Sequence, residues 1–428
     1  MSKISVPYET AHDPDPSLEL DIPDSNLLAE YAPTEPEPLD DLIGAVEEAV
    51  ENPIDGEPFS ELIGEGKKVA IVTENEFRQA PSEIIAPYLV ERAQDAGSEV
   101  TVVIANGKAP APHDDEGRAG VVGEAVVESD VPIDHNDVEQ PEKYELVDVT
   151  SAGIPLWVHK EVTSADSVIT ISTTQATLWG YGGSGMIIPG VSGNETIERN
   201  HITTLAPNCR PGHNDAKMQQ DKYEALRLAG VDMGINAIVT NQRDTAYVNA
   251  GEPVASHKEA IEVYDETYRF DVDDEPKPDV VITGTTAPTD HLYFHSGWAV
   301  VNCEALVKEG GTIIHASPSP GYGDWPGFAL MDLMADYAPA SEEGKEQAIH
   351  DLIHAEKELW AGCIWYPIYR AMVHADVTVV TEDYNIEDAE EAGLGATTSL
   401  EDAYEQAVAK HGEDLDVAVV PFGRYTVF

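Results

Sequence analysis

The order of apolar and polar positions along the chain predicts strands that alternate with helices. Residues 67–73 and 99–105 are short apolar runs, rich in Val and Ile, of the kind found in buried strands. Between them, residues 81–96 have a helical spacing and precede Gly97, a residue suited to a left-handed helix cap. A strand, a helix and a second strand at this spacing predict a parallel pair with a right-handed crossover.

The same order of elements continues towards the carboxyl end. Ser399 opens a capping box that predicts a helix through Lys410. Further runs typical of buried strands lie at residues 167–172, 279–283, 312–316, 376–381 and 416–420.

A Pro-containing acidic stretch at residues 271–278 indicates a domain boundary. We therefore expect an α/β protein of two domains with mostly parallel sheets, at residues 1–270 and 271–428. A ligand cleft is expected between these domains or at the carboxyl ends of the strands.

A glycine-rich loop follows the run at residues 167–172. It holds six glycines between Gly180 and Gly193, a density that disfavours both helix and strand because ordering each glycine costs backbone entropy. A helical segment at residues 195–201 comes next and ends in His201. Such a loop before a helix is a general cradle for anions or phosphates, and by itself it does not identify the ligand.

Charge is the most unusual feature of the composition. The chain of 428 residues has 80 Asp and Glu against 24 Lys and Arg, a formal net charge of −56, yet 42% of its residues are apolar, so it is expected to fold. We interpret this as a halophile's surface, on which concentrated salt screens the repulsion among carboxylates. The alternative is an acidic protein that binds basic partners.

Several classes of protein are excluded by the sequence. No Lys/Arg cluster is present to bind nucleic acid, and no apolar run reaches the roughly 18 residues of a membrane span. No signal peptide is evident, and Cys209, Cys303 and Cys363 are too far apart to suggest a metal motif or a disulfide framework. We expect a cytoplasmic enzyme that acts on a small molecule, and nothing in the sequence predicts its oligomeric state.

Two basic residues directly follow predicted strands. Arg78 lies where substrate groups dock in α/β folds, and a guanidinium can hold a carboxylate through two parallel hydrogen bonds. Lys108 follows the second strand and could bind an anion at the same edge. For each, the alternative is an ordinary surface residue that pairs with a local acid or with water.

One single histidine and two histidine pairs are candidates for metal binding or acid–base chemistry. His201 is either a metal ligand or an acid–base group, or else a structural residue at a helix end. The pair His291 and His295 has a spacing that puts both rings on one face of a helix, and it follows a predicted strand. His350 and His354 have the same spacing among many acids, where a solvated helix face is expected.

Taken together, these features resemble the nickel-dependent lactate racemase family over almost the whole chain. The matching segments are residues 6–8 (Val-Pro-Tyr), 47–54, 105–107 (Ala-Asn-Gly), 188–190 (Ile-Pro-Gly), 200–201 (Asn-His), 230–236, 308–314 and 421–423 (Pro-Phe-Gly). Family members hold a nickel-pincer nucleotide and interconvert stereoisomers of 2-hydroxy acids by hydride transfer. The resemblance implies the same cofactor and substrate class here.

The resemblance also implies roles for individual residues. Arg78 matches the residue that binds the substrate carboxylate, His201 matches the nickel ligand, and Tyr293 matches an aromatic residue near the cofactor. The glycine loop would contact the cofactor at Gly182, Gly183 and Ser184.

The chain departs from the family pattern at catalytic positions. The two proton-transfer histidines are missing, since Ala109 and the pair Gln175–Ala176 stand in their places. The loop is one residue shorter and lacks its Lys, the family's Asp-x-Thr is Asn-Glu-Phe at residues 75–77, and the Gln and Lys after the aromatic are replaced around residues 294–297. We therefore expect no Lys near this loop and no covalent tether to the cofactor.

Two functions remain open from the sequence. The first is a divergent racemase or epimerase of a 2-hydroxy acid, in which His113, His291 or His295 replaces the missing acid–base groups. The second is a catalytically inactive protein on the same scaffold that binds a small molecule or nucleotide.

Overall fold

The computed structural model describes residues 1–9, 17–112 and 114–428, which form two compact units. Unit 1 comprises Met1–Thr34, Ala176–Leu178 and Tyr268–Phe428, and unit 2 comprises Glu35–Gln175 and Trp179–Thr267. The sequence pattern predicted a single division at residue 270. In the structure the first 34 residues belong to the same unit as the carboxyl-terminal part of the chain.

Strands and helices alternate along most of the chain. The strands are β1 (Ser2–Pro7), β2 (Ser17–Ile22), β3 (Leu27–Glu30), β4 (Lys68–Glu74), β5 (Glu99–Ala105), β6 (Ile133–His135), β7 (Tyr144–Val149), β8 (Pro155–His159), β9 (Ser167–Thr173), β10 (Ala176–Thr177), β11 (Gly180–Tyr181), β12 (Met233–Val239), β13 (Thr245–Gly251), β14 (Val280–Gly284), β15 (Thr312–Ala316), β16 (Asp376–Val380), β17 (Gly395–Thr397) and β18 (Val417–Val420). The α-helices are α1 (Leu42–Glu51), α2 (Phe59–Leu62), α3 (Ser82–Asp95), α4 (Asp115–Val122), α5 (Glu124–Val127), α6 (Lys160–Thr163), α7 (Asn194–His201), α8 (Lys217–Leu228), α9 (Pro253–Tyr268), α10 (Tyr293–Ser296), α11 (Trp298–Cys303), α12 (Glu342–Ile353), α13 (Leu359–His374), α14 (Ile386–Glu391) and α15 (Leu400–His411).

Unit 2 is built on a six-stranded sheet in the order β13-β12-β9-β4-β5-β6. All neighbours are parallel except β12 and β13. From β4 the chain adds β5 and β6 on one side and later β9 and β12 on the other. The strand order therefore reverses between β4 and β9, the place where open α/β sheets bind ligands.

The side chains of β4 show that this sheet is buried on both faces. Val69 and Ile71 belong to one apolar cluster, and Ala70 and Val72 belong to another. Successive side chains of a strand point to opposite faces, so a continuous apolar run is what a strand needs when both faces are buried.

Unit 1 has its own six-stranded sheet in the order β17-β16-β15-β14-β18-β3, with every neighbouring pair parallel. Its edge strand β3 comes from the amino-terminal stretch and pairs with β18, which explains why that stretch belongs to this unit. One apolar cluster joins β1 and β2 to β14, β15 and β18.

The structure confirms the predicted fold class, two α/β units with mostly parallel sheets. The predicted strands at 99–105 and 312–316 are β5 and β15, and Gly97 has a φ of +86° after α3. The weakly periodic stretch between β5 and β9 also contains regular structure, α4 to α6 and β6 to β8, that the sequence pattern did not predict.

Two negative findings bear on the protein class. No helix in the described ranges is long and apolar enough to cross a membrane. The cysteines Cys209, Cys303 and Cys363 are buried, and none of them forms a disulfide with another described residue.

The predicted cap at Ser399 gives a test of local stability. The Ser399 side chain accepts a hydrogen bond of 3.1 Å from the Asp402 amide at the start of α15. Ser399→Ala removes this acceptor, so we expect the free energy of unfolding in urea to fall by about 1 kcal/mol. Ser399→Thr keeps a hydroxyl acceptor and is the control, and equal stability of the two variants would contradict the cap.

Candidate functional site

The candidate site lies at the carboxyl ends of β4, β5 and β9 in unit 2. Glu74 ends β4, and its Oε2 accepts hydrogen bonds of 2.9 Å from both the Thr173 amide and the Thr173 hydroxyl at the end of β9. These bonds join the two strands where the strand order reverses. Nearby buried polar side chains, Thr73, Thr174 and Gln175, each have an oxygen with no hydrogen-bond partner among the described residues, as expected where a polar ligand binds.

Arg78 lies beside Glu74 in the turn between β4 and α3. Arg78 is half-buried as a residue, its guanidinium Nη1 is buried, and its charge lowers the pKa of the Glu74 carboxyl. Burial lowers the pKa of Arg78 and the Glu74 charge raises it. An arginine at this edge suits recognition of a carboxylate.

Glu74 is a buried carboxyl that titrates near neutrality. Burial raises its pKa to about 7, against the lowering effects of the Arg78 charge and the two Thr173 hydrogen bonds. Only Oε2 accepts hydrogen bonds from the described residues. Glu74 is therefore suited to accept and release a proton near pH 7.

His201 is wholly buried at the carboxyl end of α7. Its Nδ1 is 2.7 Å from the Ile197 carbonyl oxygen, which can only accept, so Nδ1 carries the proton. Burial lowers the pKa of His201 to about 4, and the ring also packs edge-on against Trp179 at 5.4 Å between centroids. The imidazole is therefore neutral with its lone pair on Nε2, the form in which histidine binds a metal.

Lys222 corrects the expectation that no Lys lies near the glycine loop. It comes from α8, is 4% exposed, and its Nζ donates a hydrogen bond of 3.2 Å to the Tyr181 carbonyl oxygen in the loop. The expectation was wrong because α8 folds back onto the loop from forty residues further along the chain, which the local sequence does not reveal.

The glycine loop packs closely against buried side chains. The His257 Nε2 donates to the Gly182 carbonyl oxygen at 2.5 Å, and the Gln219 Nε2 donates to the Ser184 hydroxyl at 2.8 Å. Gly183 has a φ of +96°, and a Cβ there would lie 2.8 Å from the His257 ring. A side chain at position 183 would collide with the His257 ring, which explains why a glycine is found there.

Lys108 lies in the turn after β5 and pairs with Glu198 of α7 at 2.6 Å. The side chains are 12% and 20% exposed, so this is a largely buried ion pair. The Asn106 side chain closes the turn by donating to the Ala109 carbonyl oxygen at 2.7 Å. Lys108 therefore connects the end of β5 to the helix that carries His201.

The remaining candidate residues belong to unit 1. Tyr293 is wholly buried and stacks on Phe328 with ring centroids 4.6 Å apart. His295 is 5% exposed and lies against Phe294, 4.2 Å between centroids.

The two histidine pairs differ, because His291 and His295 do not share a helix, whereas His350 and His354 lie together at the exposed end of α12. The helix α10 spans only Tyr293–Ser296, so His291 lies outside it and the predicted shared helix face is wrong. The α12 helix ends at Ile353, one residue before His354. The His350 and His354 rings are 4.2 Å apart, and the His350 side chain is 53% exposed. His113 lies outside the described residues.

Sequence reasoning missed Glu74, Lys222 and His257. Glu74 carried a usable signal, a carboxylate at the last position of an apolar strand. Lys222 and His257 carried none, because each lies on an amphipathic helix distant in sequence from the loop that it contacts.

The residues present fit a metal cofactor that brings most of its own ligands. No group of three His, Cys, Asp or Glu side chains in the described ranges could hold a bare ion. The neutral His201 can supply one nitrogen ligand.

The fold and site define a two-unit α/β protein with a buried, positively charged sheet edge beside a glycine-rich loop. Residues 15–212 match the lactate racemase N-terminal domain, and residues 273–427 match the lactate racemase C-terminal domain. The chain belongs to the lactate racemase family.

Individual proteins agree with this assignment. The lactate racemase of Lactiplantibacillus plantarum is 25% identical over 391 residues, 88% of this chain and 89% of the relative. That of Thermoanaerobacterium thermosaccharolyticum is 24% identical over 392 residues, 88% of each chain. A solved structure of the lactate racemase apoprotein from Thermoanaerobacterium thermosaccharolyticum shares the fold with a TM-score of 0.86 and 21% identity, covering 100% of this chain and 99% of that one. A Thermotoga maritima protein aligns with a TM-score of 0.65 and 16% identity, covering 86% of this chain and 96% of that one.

The contact of Gly183 with His257 predicts a steep cost for a methyl group in the loop. Gly183→Ala should lower the free energy of unfolding by about 1–3 kcal/mol, because both the backbone conformation and the His257 ring oppose it. Gly185→Ala is the matched control, since its nearest neighbour would be an ordinary 3.6 Å away, and we expect a change within about 0.5 kcal/mol. Equal effects in urea unfolding would contradict the close packing at Gly183.

The raised pKa of Glu74 predicts a pH-dependent loss of stability. The folded protein holds this proton up to about pH 7, whereas the unfolded chain releases it near 4.5, so stability falls as the pH rises between these values. Glu74→Gln removes this titration and should gain stability relative to the wild type across that window, by about 3 kcal/mol at most. Urea unfolding at pH 5 and pH 8 in one salt concentration measures the difference. Glu19→Gln, at an exposed side chain of β2, is the control, and parallel curves for wild type and Glu74→Gln would contradict the assignment.

Proposed function

We propose that this chain is a racemase or epimerase, an isomerase that acts on a 2-hydroxy acid such as lactate. The observation that carries the proposal is Arg78 beside the proton-accepting Glu74, at the sheet edge where the strand order reverses. The family membership and the names of the similar proteins support the reaction class.

Arg78 would bind the carboxylate of the substrate. Arg78 lies just after the end of β4. A small acid held there by its carboxylate would have its 2-hydroxyl among the polar side chains at the same edge of the sheet. A fixed guanidinium limits how a small acid can turn, which a reaction at one carbon requires.

Inversion at that carbon requires the hydroxyl proton to be removed and returned. Glu74 is one candidate for this step, because its Oε1 accepts no hydrogen bond from the described residues and its pKa is about 7. His295 is the other candidate, a largely buried ring in unit 1. Lys108, paired with Glu198, would fix the turn after β5 relative to the His201 helix.

We propose that a nickel-pincer nucleotide is the cofactor, with His201 Nε2 as a nickel ligand. When bound, this group supplies hydride chemistry at the substrate carbon. The loop at Gly182, Gly183 and Ser184 would lie against the cofactor, and Tyr293 would contribute an aromatic surface. Lys222 is a buried amine at the loop, and we do not assign it a covalent bond to the nucleotide.

A catalytically inactive binding protein is the second candidate. Ala109 and Ala176 favour it, because neither can move a proton where the family has histidine.

Protein purified from its native host separates the two candidates. We expect bound nickel by metal analysis, cofactor absorbance, and conversion of one lactate enantiomer to the other by chiral chromatography. Colourless, nickel-free protein that converts no 2-hydroxy acid would eliminate the isomerase.

The role of Arg78 predicts a loss of affinity on a charge-conserving change. Arg78→Lys keeps the charge but loses the planar, two-pronged donor, so the KM for the 2-hydroxy acid should rise by about 10- to 100-fold. Arg199→Lys is the matched control, because the Arg199 side chain is 59% exposed and pairs with Glu195 one turn away on its own helix. An unchanged KM in Arg78→Lys would contradict carboxylate binding by this residue.

A further inference from the structure

Lys222 is a buried ammonium group that no carboxylate of the described residues neutralises. It is 4% exposed, and its one hydrogen bond runs from Nζ to the Tyr181 carbonyl oxygen at 3.2 Å. By comparison, the ammonium groups of Lys108 and Lys143 each lie 2.6 Å from a carboxylate. In a chain with 80 Asp and Glu, the absence of an acid at this one buried lysine needs a reason.

Burial, Cys209 and Arg78 together set the pKa of Lys222. Burial lowers the pKa of Lys222 to about 8, with Cys209 acting to raise this pKa and the Arg78 charge acting to lower it. The Lys222 charge in turn lowers the pKa of His201 and the pKa of His257. The nearby Cys209 is a neutral thiol, because burial raises its pKa to about 12. At neutral pH Lys222 therefore keeps a buried positive charge that no carboxylate of the described residues pairs with.

An ammonium group has three N–H donors, and Tyr181 accepts from one of them. We propose that Lys222 binds an anionic oxygen of the ligand, a carboxylate or a phosphate, at the sheet edge that it shares with Arg78. The carboxylate form rests on the proposed function, in which Arg78 holds a 2-hydroxy acid. The phosphate form would instead come from a nucleotide.

The test is the variant Lys222→Met, which keeps the length of the side chain and removes its charge. Replacing an unneutralised buried charge by an apolar group of similar size is neutral or stabilising, so the ligand-free variant should melt at or above the wild-type temperature. Lys258→Met is the control, since Lys258 is an exposed lysine that lies over the Tyr223 ring at 5.6 Å.

Binding is measured by calorimetry with two probes, L-lactate and inorganic phosphate, at one fixed potassium chloride concentration. The wild type and Lys258→Met should bind a probe with equal affinity, and Lys222→Met should bind it about tenfold or more weakly. If Lys222→Met binds lactate more weakly than the wild type does, the partner of Lys222 is the substrate carboxylate. If only phosphate binding weakens in Lys222→Met, the partner is a nucleotide phosphate.

Three outcomes would overturn the proposal. These are equal affinities of Lys222→Met and wild type, failure of the wild type to bind either probe, and a ligand-free Lys222→Met that melts several degrees lower, which would assign Lys222 a structural role.

Arg78→Met, measured in parallel, separates this inference from the proposed function. If Arg78→Met loses lactate binding while Lys222→Met keeps it, only the role of Lys222 fails. If Arg78→Met binds lactate like the wild type, the proposed function fails at its carboxylate site.

Discussion

The hydrogen bonds from Thr173 to Glu74 hold together the two strands on which the candidate site depends. Both bonds end on one carboxylate oxygen, at 2.9 Å, where the strand order of unit 2 reverses. At such a reversal the following connections leave in opposite directions and open a space above the sheet edge. Glu74 therefore has a structural role through Oε2, and it retains a second oxygen for chemistry.

Close packing of backbone is the second constraint on the site. The loop that begins at Gly180 runs against α8 and α9, and His257 and Gln219 bind its Gly182 carbonyl and Ser184 hydroxyl. A methyl group at Gly183 would meet the His257 ring. A glycine-rich sequence of this kind is required by contacts within the protein, whether or not a ligand also needs the close approach.

The distribution of charge separates the surface from the site. The chain carries a formal net charge of −56. Near the carboxyl end of β4, however, two cations lie close enough that the Arg78 charge lowers the pKa of Lys222. Carboxylates on the surface cost little to hydrate, and concentrated salt would screen their repulsion. A buried charge is costly without a partner, and so the few cations retained inside carry more information about function than the many acids outside.

The sequence by itself determined the family and several of the buried strands. Strands β5 and β15 and the cap of α15 follow from residues adjacent in the chain, since alternation and capping are local properties. The positions of Arg78 and His201 near their elements' ends were predictable for the same reason. Only the tertiary structure decided that β3 pairs with β18, that Lys222 and His257 reach the glycine loop, and that His291 and His295 share no helix. It also decided the ionisation of Glu74, because burial and a neighbouring charge depend on distant parts of the chain that fold against it.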